Sequence, residues 1–189
     1  YKMTEFEDID SMYSQVLERQ RFDVSKLDYS VLEASKDVLK KLAEVGNSGV
    51  SVFDLHQKKH VFTSYSFEHL FGYDLDVLAQ DDIAYFNSKI HPEDLLHLRL
   101  HGMSMLDFII SEPREVKPDY KLINEYRMQD ASGNYIRVIE QHQVLELDAD
   151  GNVWLSLSIL DLSPDQENYK GVKSQLFNFR TGQLIPIAV

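Results

Sequence analysis

The chain contains no cysteine. This excludes disulfides, thiolate metal sites, cysteine nucleophiles and the cysteinyl adducts on which some photoreceptors depend. Basic residues are also scarce: 19 Lys and Arg stand against 31 Asp and Glu, a formal charge of −12. Such a surface repels a phosphate backbone, so this stretch is not expected to bind nucleic acid. No run approaches the roughly 18 apolar residues of a membrane span, and no basic stretch leads into an apolar one, so a soluble, cytoplasmic protein is expected. No Gly-x-Ser-x-Gly elbow, His-Glu-x-x-His, phosphate loop or Gly-x-Gly-x-x-Gly turn occurs, and no enzymatic activity is expected. Fixed-period repeats and low-complexity tracts are missing as well. The first residue is Tyr1 rather than Met, which suggests trimming from a longer parent.

At 189 residues the chain can form one domain with appendages and bury a sizeable core. Residues 120–129, 135–147 and 153–162 read as three consecutive strands. They are joined by Asp130-Ala131-Ser132-Gly133-Asn134 and Asp148-Ala149-Asp150-Gly151-Asn152, both rich in residues that tolerate positive φ and close hairpins. An antiparallel meander follows. Alternation in its last strand puts Val153, Leu155, Leu157 and Ile159 on one face, and Ser156, Ser158, Trp154 and Leu160 on the other. The first group is the apolar face and must be covered.

Upstream, Phe6, Ile9, Tyr13, Val16 and Leu17 repeat at helical spacing over residues 4–20, with Thr4 and Glu7 as a capping box. Ser30 and Glu33 form a second capping box before the stripe Val31, Ala34, Val38, Leu42 and Val45, which stops at Gly46. These two stripes either cover the outer face of the sheet, with Trp154 and Leu160, or pair with a second copy. Residues 50–55 and 60–63 read as a hairpin. Short helical pieces follow at 64–70, where Ser64 is placed to cap, at 74–79 and at 83–88. His91-Pro92-Glu93-Asp94 opens a longer helix reaching about residue 110, with Pro in its first turn and carboxylates at its positive end. After Pro164 the polar stretch 165–173 has some helical character, and residues 176–187 read as a small hairpin about Arg180-Thr181-Gly182.

In this order the pieces resemble a PAS domain. The correspondence rests on Gly49-Val50-Ser51-Val52-Phe53-Asp54, Phe67-Glu68-His69-Leu70-Phe71-Gly72-Tyr73 and His91-Pro92-Glu93-Asp94-Leu95. Further on it rests on Glu125-Tyr126-Arg127-Met128 and Tyr135-Ile136-Arg137-Val138, and on the closing Asp161-Leu162-Ser163. That triplet is similar to the Asp-Ile-Thr that ends many PAS cores. Ser64 stands where the family often has asparagine. The resemblance implies an α+β fold: a five-stranded antiparallel sheet with short helices and one long helix on one face, preceded by amphipathic helices (1–46) and followed by a C-terminal hairpin (164–189), with residues 47–163 as the sensory domain. The flanking segments are similar to the sensor half of LuxR-type regulators, whose helix-turn-helix module would lie outside this chain. The alternatives are the sensor of a histidine kinase or cyclic-dinucleotide enzyme, and a ligand-free interaction scaffold.

The inward positions Val52, Phe71, Leu122, Tyr126, Leu155 and Leu157 are candidates to contact a small-molecule ligand, with Tyr126 offering a hydroxyl. Plain core packing accounts for the same residues. Asp161 and Ser163 are candidates to couple the domain to its effector. His97 and His101, four apart with Asp94 nearby, have a spacing that can chelate a cation or reach a haem, but with Ser104 they form a polar face opposite Leu95, Leu98, Met105 and Ile109. A solvated face is therefore the stronger reading, and no metal is assigned. The cofactor is unknown from sequence, and a homodimer is the expected assembly.

Overall fold

The structure, a computed structural model, describes residues 2–167 and 171–186, with side chains from residue 8 onward. Two helices lead the chain, α1 (Lys2–Glu18) and α2 (Ser30–Gly46). The hairpin β1 (Gly49–Asp54) and β2 (Lys59–Thr63) follows, then the short helices α3 (Ser66–Phe71), α4 (Leu75–Asp81) and α5 (Ile83–Lys89) and the long α6 (Pro92–Ser111). The meander β3 (Tyr120–Gln129), β4 (Tyr135–Leu147) and β5 (Val153–Leu162) comes next, and the hairpin β6 (Lys173–Asn178) and β7 (Gln183–Ile185) closes the chain. All seven strands form one antiparallel sheet in the order β2-β1-β5-β4-β3-β6-β7. The expected sheet of five is thus extended by the C-terminal hairpin, because β6 satisfies the edge of β3 that would otherwise be unpaired.

Several local expectations change for identifiable reasons. The Thr4–Glu7 capping box and Phe6 lie outside the described side chains. Ser30 does not cap α2; its own N–H donates to the Asp28 carboxylate at 3.0 Å, while Glu33 pairs with Lys36. Gly46 is still helical, and Asn47 takes the left-handed turn at φ 51°, one of the few non-glycine residues suited to it. Ser64 does not cap α3 but accepts the Val50 N–H at 2.9 Å, tying the end of β2 to β1. No helix occurs in the described part of 165–173.

The two faces of the sheet divide differently from the simple alternation in β5. The ladder pairs Val153 with Leu147 and Leu155 with Glu146, leaving Trp154 as a bulge. The bulge resets the phase. Trp154 joins Leu155 and Leu157 in one buried cluster with Val50, Val52 and the α2 residues Leu32, Leu39 and Ala43. This outer face is closed by α2, and Tyr29 sets its ring edge-on to Trp154 at 5.0 Å between centroids. Leu160 turns to the opposite, inner face, so only the Trp154 half of the expected Trp154/Leu160 pairing lies under α2. The α2 stripe inferred from sequence also faces elsewhere: Ala34, Val38, Leu42 and Val45 are exposed and Val31 is half-buried, because the core takes Leu32, Leu39 and Ala43 instead.

The inner face is covered by α3 to α6 and carries two apolar clusters. One joins Phe67, Phe71, Tyr73 and Leu78 to Tyr126, Met128, Val138 and Leu160, with Leu98 of α6 packed against it. Here α3 lies so close to β1 that a Cβ on Gly49 would stand 2.8 Å from the Phe67 ring. The other cluster joins Ile109 of α6 to Tyr120, Leu122, Val153 and Leu176, with Met105, Leu106 and Val144 alongside. At the entry of α6, buried Asp94 accepts from the Arg127 guanidinium and backbone N–H at 2.6–3.0 Å. Burial opposes ionisation of this carboxyl, but the arginine outweighs it and the pKa is lowered.

Candidate functional site: a polar band on the inner face

Between those two apolar clusters the inner face is polar. The register sets Ser51, Ser158, His142 and Leu122 side by side across β1, β5, β4 and β3. The next row sets Gly49, Leu160, Glu140, Asn124 and Ser174 across the same strands and β6. On the other side Ser156 lies between Phe53 and Val144. The band therefore contains three serines, an asparagine, a glutamate and a histidine on the central strands of the sheet. Burying such groups is costly unless they find partners.

Glu140 collects most of those partners. Tyr126 donates its hydroxyl to Oε2 at 2.7 Å, Ser158 donates to Oε1 at 2.5 Å, and His142 Nε2 lies 3.2 Å from Oε2. Burial by itself would raise the Glu140 pKa, but His142 and the two hydroxyls overcome it and hold it at about 2. For His142, burial disfavours the imidazolium while the Glu140 charge favours it, and the net shift is upward. Tyr126 is raised well above its ordinary value by burial and then by the neighbouring carboxylate, so its hydroxyl stays a donor. The cluster is a carboxylate–imidazole pair braced by two hydroxyls.

Not every group in the band is satisfied. The Ser51 and Ser156 hydroxyls have no hydrogen-bond partner among the described residues, and His142 uses only Nε2. The His142 side chain is 31% exposed, although its flanking neighbours Leu122 and Ser158 are buried. Space therefore exists above the imidazole, and α6 supplies the reason. Leu98, Gly102, Met105 and Ile109 lie on one face of this helix at helical spacing; Leu98 reaches the first apolar cluster, and Met105 and Ile109 the second. Gly102 falls between them, and a Cβ placed there would meet nothing within 4 Å. A glycine in the sheet-facing stripe leaves open space on this side of α6.

Next to Gly102 in the helix, His101 Nδ1 meets Ser174 Oγ at 2.5 Å, and Ser174 donates to Asn124 at 2.6 Å. Burial, and then the charge of His97, lower the His101 pKa. A hollow lined by His101, Ser174, Leu176, Leu184 and Ile185 opens beside this chain of bonds. The expected solvated face of α6 is thus split: His97 is exposed, His101 is half-buried in this network, and Asp94 is fully buried. No group of three His, Asp or Glu able to hold a metal occurs among the described residues.

The residues singled out from sequence fall on two sides of the sheet. Tyr126 touches the band, Phe71 packs in the first inner cluster and Leu122 in the second. Val52, Leu155 and Leu157 lie on the outer face beneath α2, on the opposite side from the polar band, because β1 and β5 direct their larger apolar side chains outward. Asp161 accepts from Ser48 at the junction of α2 and β1. Ser163 donates to Glu125 at 3.1 Å, and Glu125 also binds Arg137. Sequence reasoning missed Ser51, Glu140, His142, Ser156, Ser158 and Gly102. The available signal was Glu140 and His142 two apart in a strand, together with the alternating serines of β5.

No family model matches the chain, and no curated protein matches it. Solved structures do. The PAS domain of a protein from Colwellia psychrerythraea is 16% identical, with a TM-score of 0.51 over 70% of this chain and 97% of that one. The RsLOV d2 variant is 12% identical, with a TM-score of 0.54 over 75% and 72%. A light-oxygen-voltage domain studied with a flavin analogue is 16% identical, with a TM-score of 0.52 over 70% and 89%. The fold is that of PAS-like sensor domains, a mixed α+β architecture on an antiparallel sheet, here lengthened by two strands. No helix among the described residues is long and apolar enough to cross a membrane.

Proposed function

We propose that residues 47–163 act as a cytoplasmic, non-catalytic sensory module that binds a small molecule and passes its state to an attached effector. The observations that carry this reading are the open space at Gly102 and the unused hydrogen-bonding capacity of Ser51, Ser156 and His142, which we read as the roof and floor of one chamber. Small-molecule sites combine apolar walls with a few convergent polar groups, and this arrangement fits that description. A ligand there would contact β5 through Ser156. The same strand ends in Asp161, bound to the α2–β1 junction, and leads into Ser163, so a shift of β5 would be felt at both ends of the module. The effector is a histidine kinase or cyclic-dinucleotide enzyme, or else a LuxR-type helix-turn-helix regulator.

The module also dimerises in this reading, through the exposed α2 residues Ala34, Val38, Leu42 and Val45 with the half-buried Val31 beside them. α2 carries Lys36, Lys40 and Lys41 against Glu33, Asp37 and Glu44, so it is charge-balanced in a chain of net charge −12. Two copies can meet there with less mutual repulsion than elsewhere. The reading is tested by thermal-shift screening of small metabolites together with solution mass. At least one compound should raise Tm in the native chain and not in Gly102→Leu, which fills the chamber. A monomer that no compound stabilises would refute it.

A further inference from the structure

Resting on the sensory reading above, we infer that the chamber takes a small monocarboxylate with an apolar body, its carboxylate held by His142 Nδ1 and the Ser156 hydroxyl. The argument starts from what is already used. Both Glu140 oxygens are occupied, by Tyr126 and His142 on one and Ser158 on the other, so the carboxylate has little left to offer an incoming ammonium group. Because Nε2 faces Glu140, the nitrogen left for a ligand is Nδ1, a donor when the ring is the cationic partner of that carboxylate.

Geometry supplies the second donor. Ser156 and His142 are diagonal neighbours on adjacent antiparallel strands, Ser158 being the residue directly opposite His142. Such diagonals are about 7–8 Å apart, near enough for side chains reaching toward each other to share one oxyanion. Ser51, also without a partner, lies on the far side of Ser158 and extends the polar floor. The walls are apolar: Phe53 and Val144 flank Ser156, Leu122 flanks His142, and Met105 stands on the α6 stripe one turn beyond Gly102. This combination suits one carboxylate on a hydrocarbon or aromatic body. A phosphate dianion fits worse, since it would bring two negative charges, where a carboxylate brings one, to an imidazole that is shared with Glu140.

The test uses the whole chain and three probes of one shape and different charge: benzoate, benzylamine and benzyl alcohol. Titration calorimetry and imidazole nitrogen shifts are read at neutral pH. Benzoate is expected to bind and move the His142 ring signals. His142→Gln should weaken it by about tenfold or more, the loss of one charge-assisted hydrogen bond. Ser156→Ala should weaken it by a few fold, and Gly102→Leu should abolish binding. Since His142→Gln also breaks the Glu140 pair, Ser156→Ala provides the comparison in a fold left intact. Tighter binding of benzylamine than benzoate, or benzoate affinity unchanged in both His142→Gln and Ser156→Ala, would overturn the carboxylate assignment while leaving the sensory chamber standing. If none of the three probes moves any signal from the inner face, the assignment and the chamber fall together.

Discussion

The two faces of this sheet are built on opposite rules. The outer face is closed by one helix, and its contacts run from Leu32, Leu39 and Ala43 to Val50, Val52, Leu155 and Leu157, all apolar. The inner face is covered by four helices, yet its central rows are polar and the roof has a glycine where a large residue would close it. A protein that needed only stability would fill both sides alike. The difference teaches that the outer face holds the fold together and the inner face leaves room for something else.

The sharpest way to break this comparison is to truncate one residue on each side. Leu155→Ala on the outer face removes a side chain with 0% exposure and should cost about 2–5 kcal/mol in chemical denaturation. Ser156→Ala, the next residue and on the other face, should change stability by well under half of that. Equal losses at the two positions would mean that the inner face is packed as tightly as the outer one.

Next in size is the charged pair of the band. Glu140→Gln should cost about 1–3 kcal/mol, since it leaves the partly buried His142 without its counter-charge. Its pH signature has two limbs. Glu140 is depressed to about 2 when folded, so its contribution is complete above the unfolded value of about 4.3 and is lost as pH falls through about 2. His142 is raised on folding, so its contribution is complete below about 6.5 and is lost as pH rises through the folded value. The pair therefore stabilises most between about pH 4.5 and 6.5. Tm of the native chain should fall on raising pH from about 6 to 9 by more than Tm of His142→Gln; parallel profiles would remove the ion pair from the account.

The same contrast explains what could be read from sequence. The meander was legible to the residue, because turn chemistry at Asp130–Asn134 and Asp148–Asn152 brackets three long alternating runs. The side taken by Val153 and Trp154 was not, because a one-residue bulge at Trp154 resets the phase between Val153 and the rest of β5. Val52, Leu155 and Leu157 read as lining residues and lie under α2, because alternation separates the two faces of a strand without saying which layer covers each. The band itself brings Ser51, His142 and Ser158 together from distant parts of the chain, a juxtaposition that register creates and linear spacing cannot display. Gly102 gave no warning because a lone glycine in an apolar helix has several ordinary explanations.

That glycine allows a finer test. With no atom within 4 Å of the added methyl, Gly102→Ala should stabilise the chain by about 0.5–1 kcal/mol through helix propensity alone. A destabilised Gly102→Ala would show that the space over the band is already filled by neighbouring side chains, and the contrast between the faces would shrink accordingly.

The smallest effect on stability is expected on α2, where the comparison extends to the helix itself. One side of α2 is spent on the outer face, whereas Val38, 69% exposed, and Val45, 76% exposed, stand outside its buried cluster. Val38→Asp should therefore change the stability of the isolated fold by no more than about 0.5 kcal/mol. Its consequence should be seen in association: light scattering should report twice the chain mass for the native protein and the chain mass for the variant. A native monomer would leave the stripe without the partner assigned to it, while a large loss of stability in Val38→Asp would mean that the stripe belongs to the core of the single chain after all.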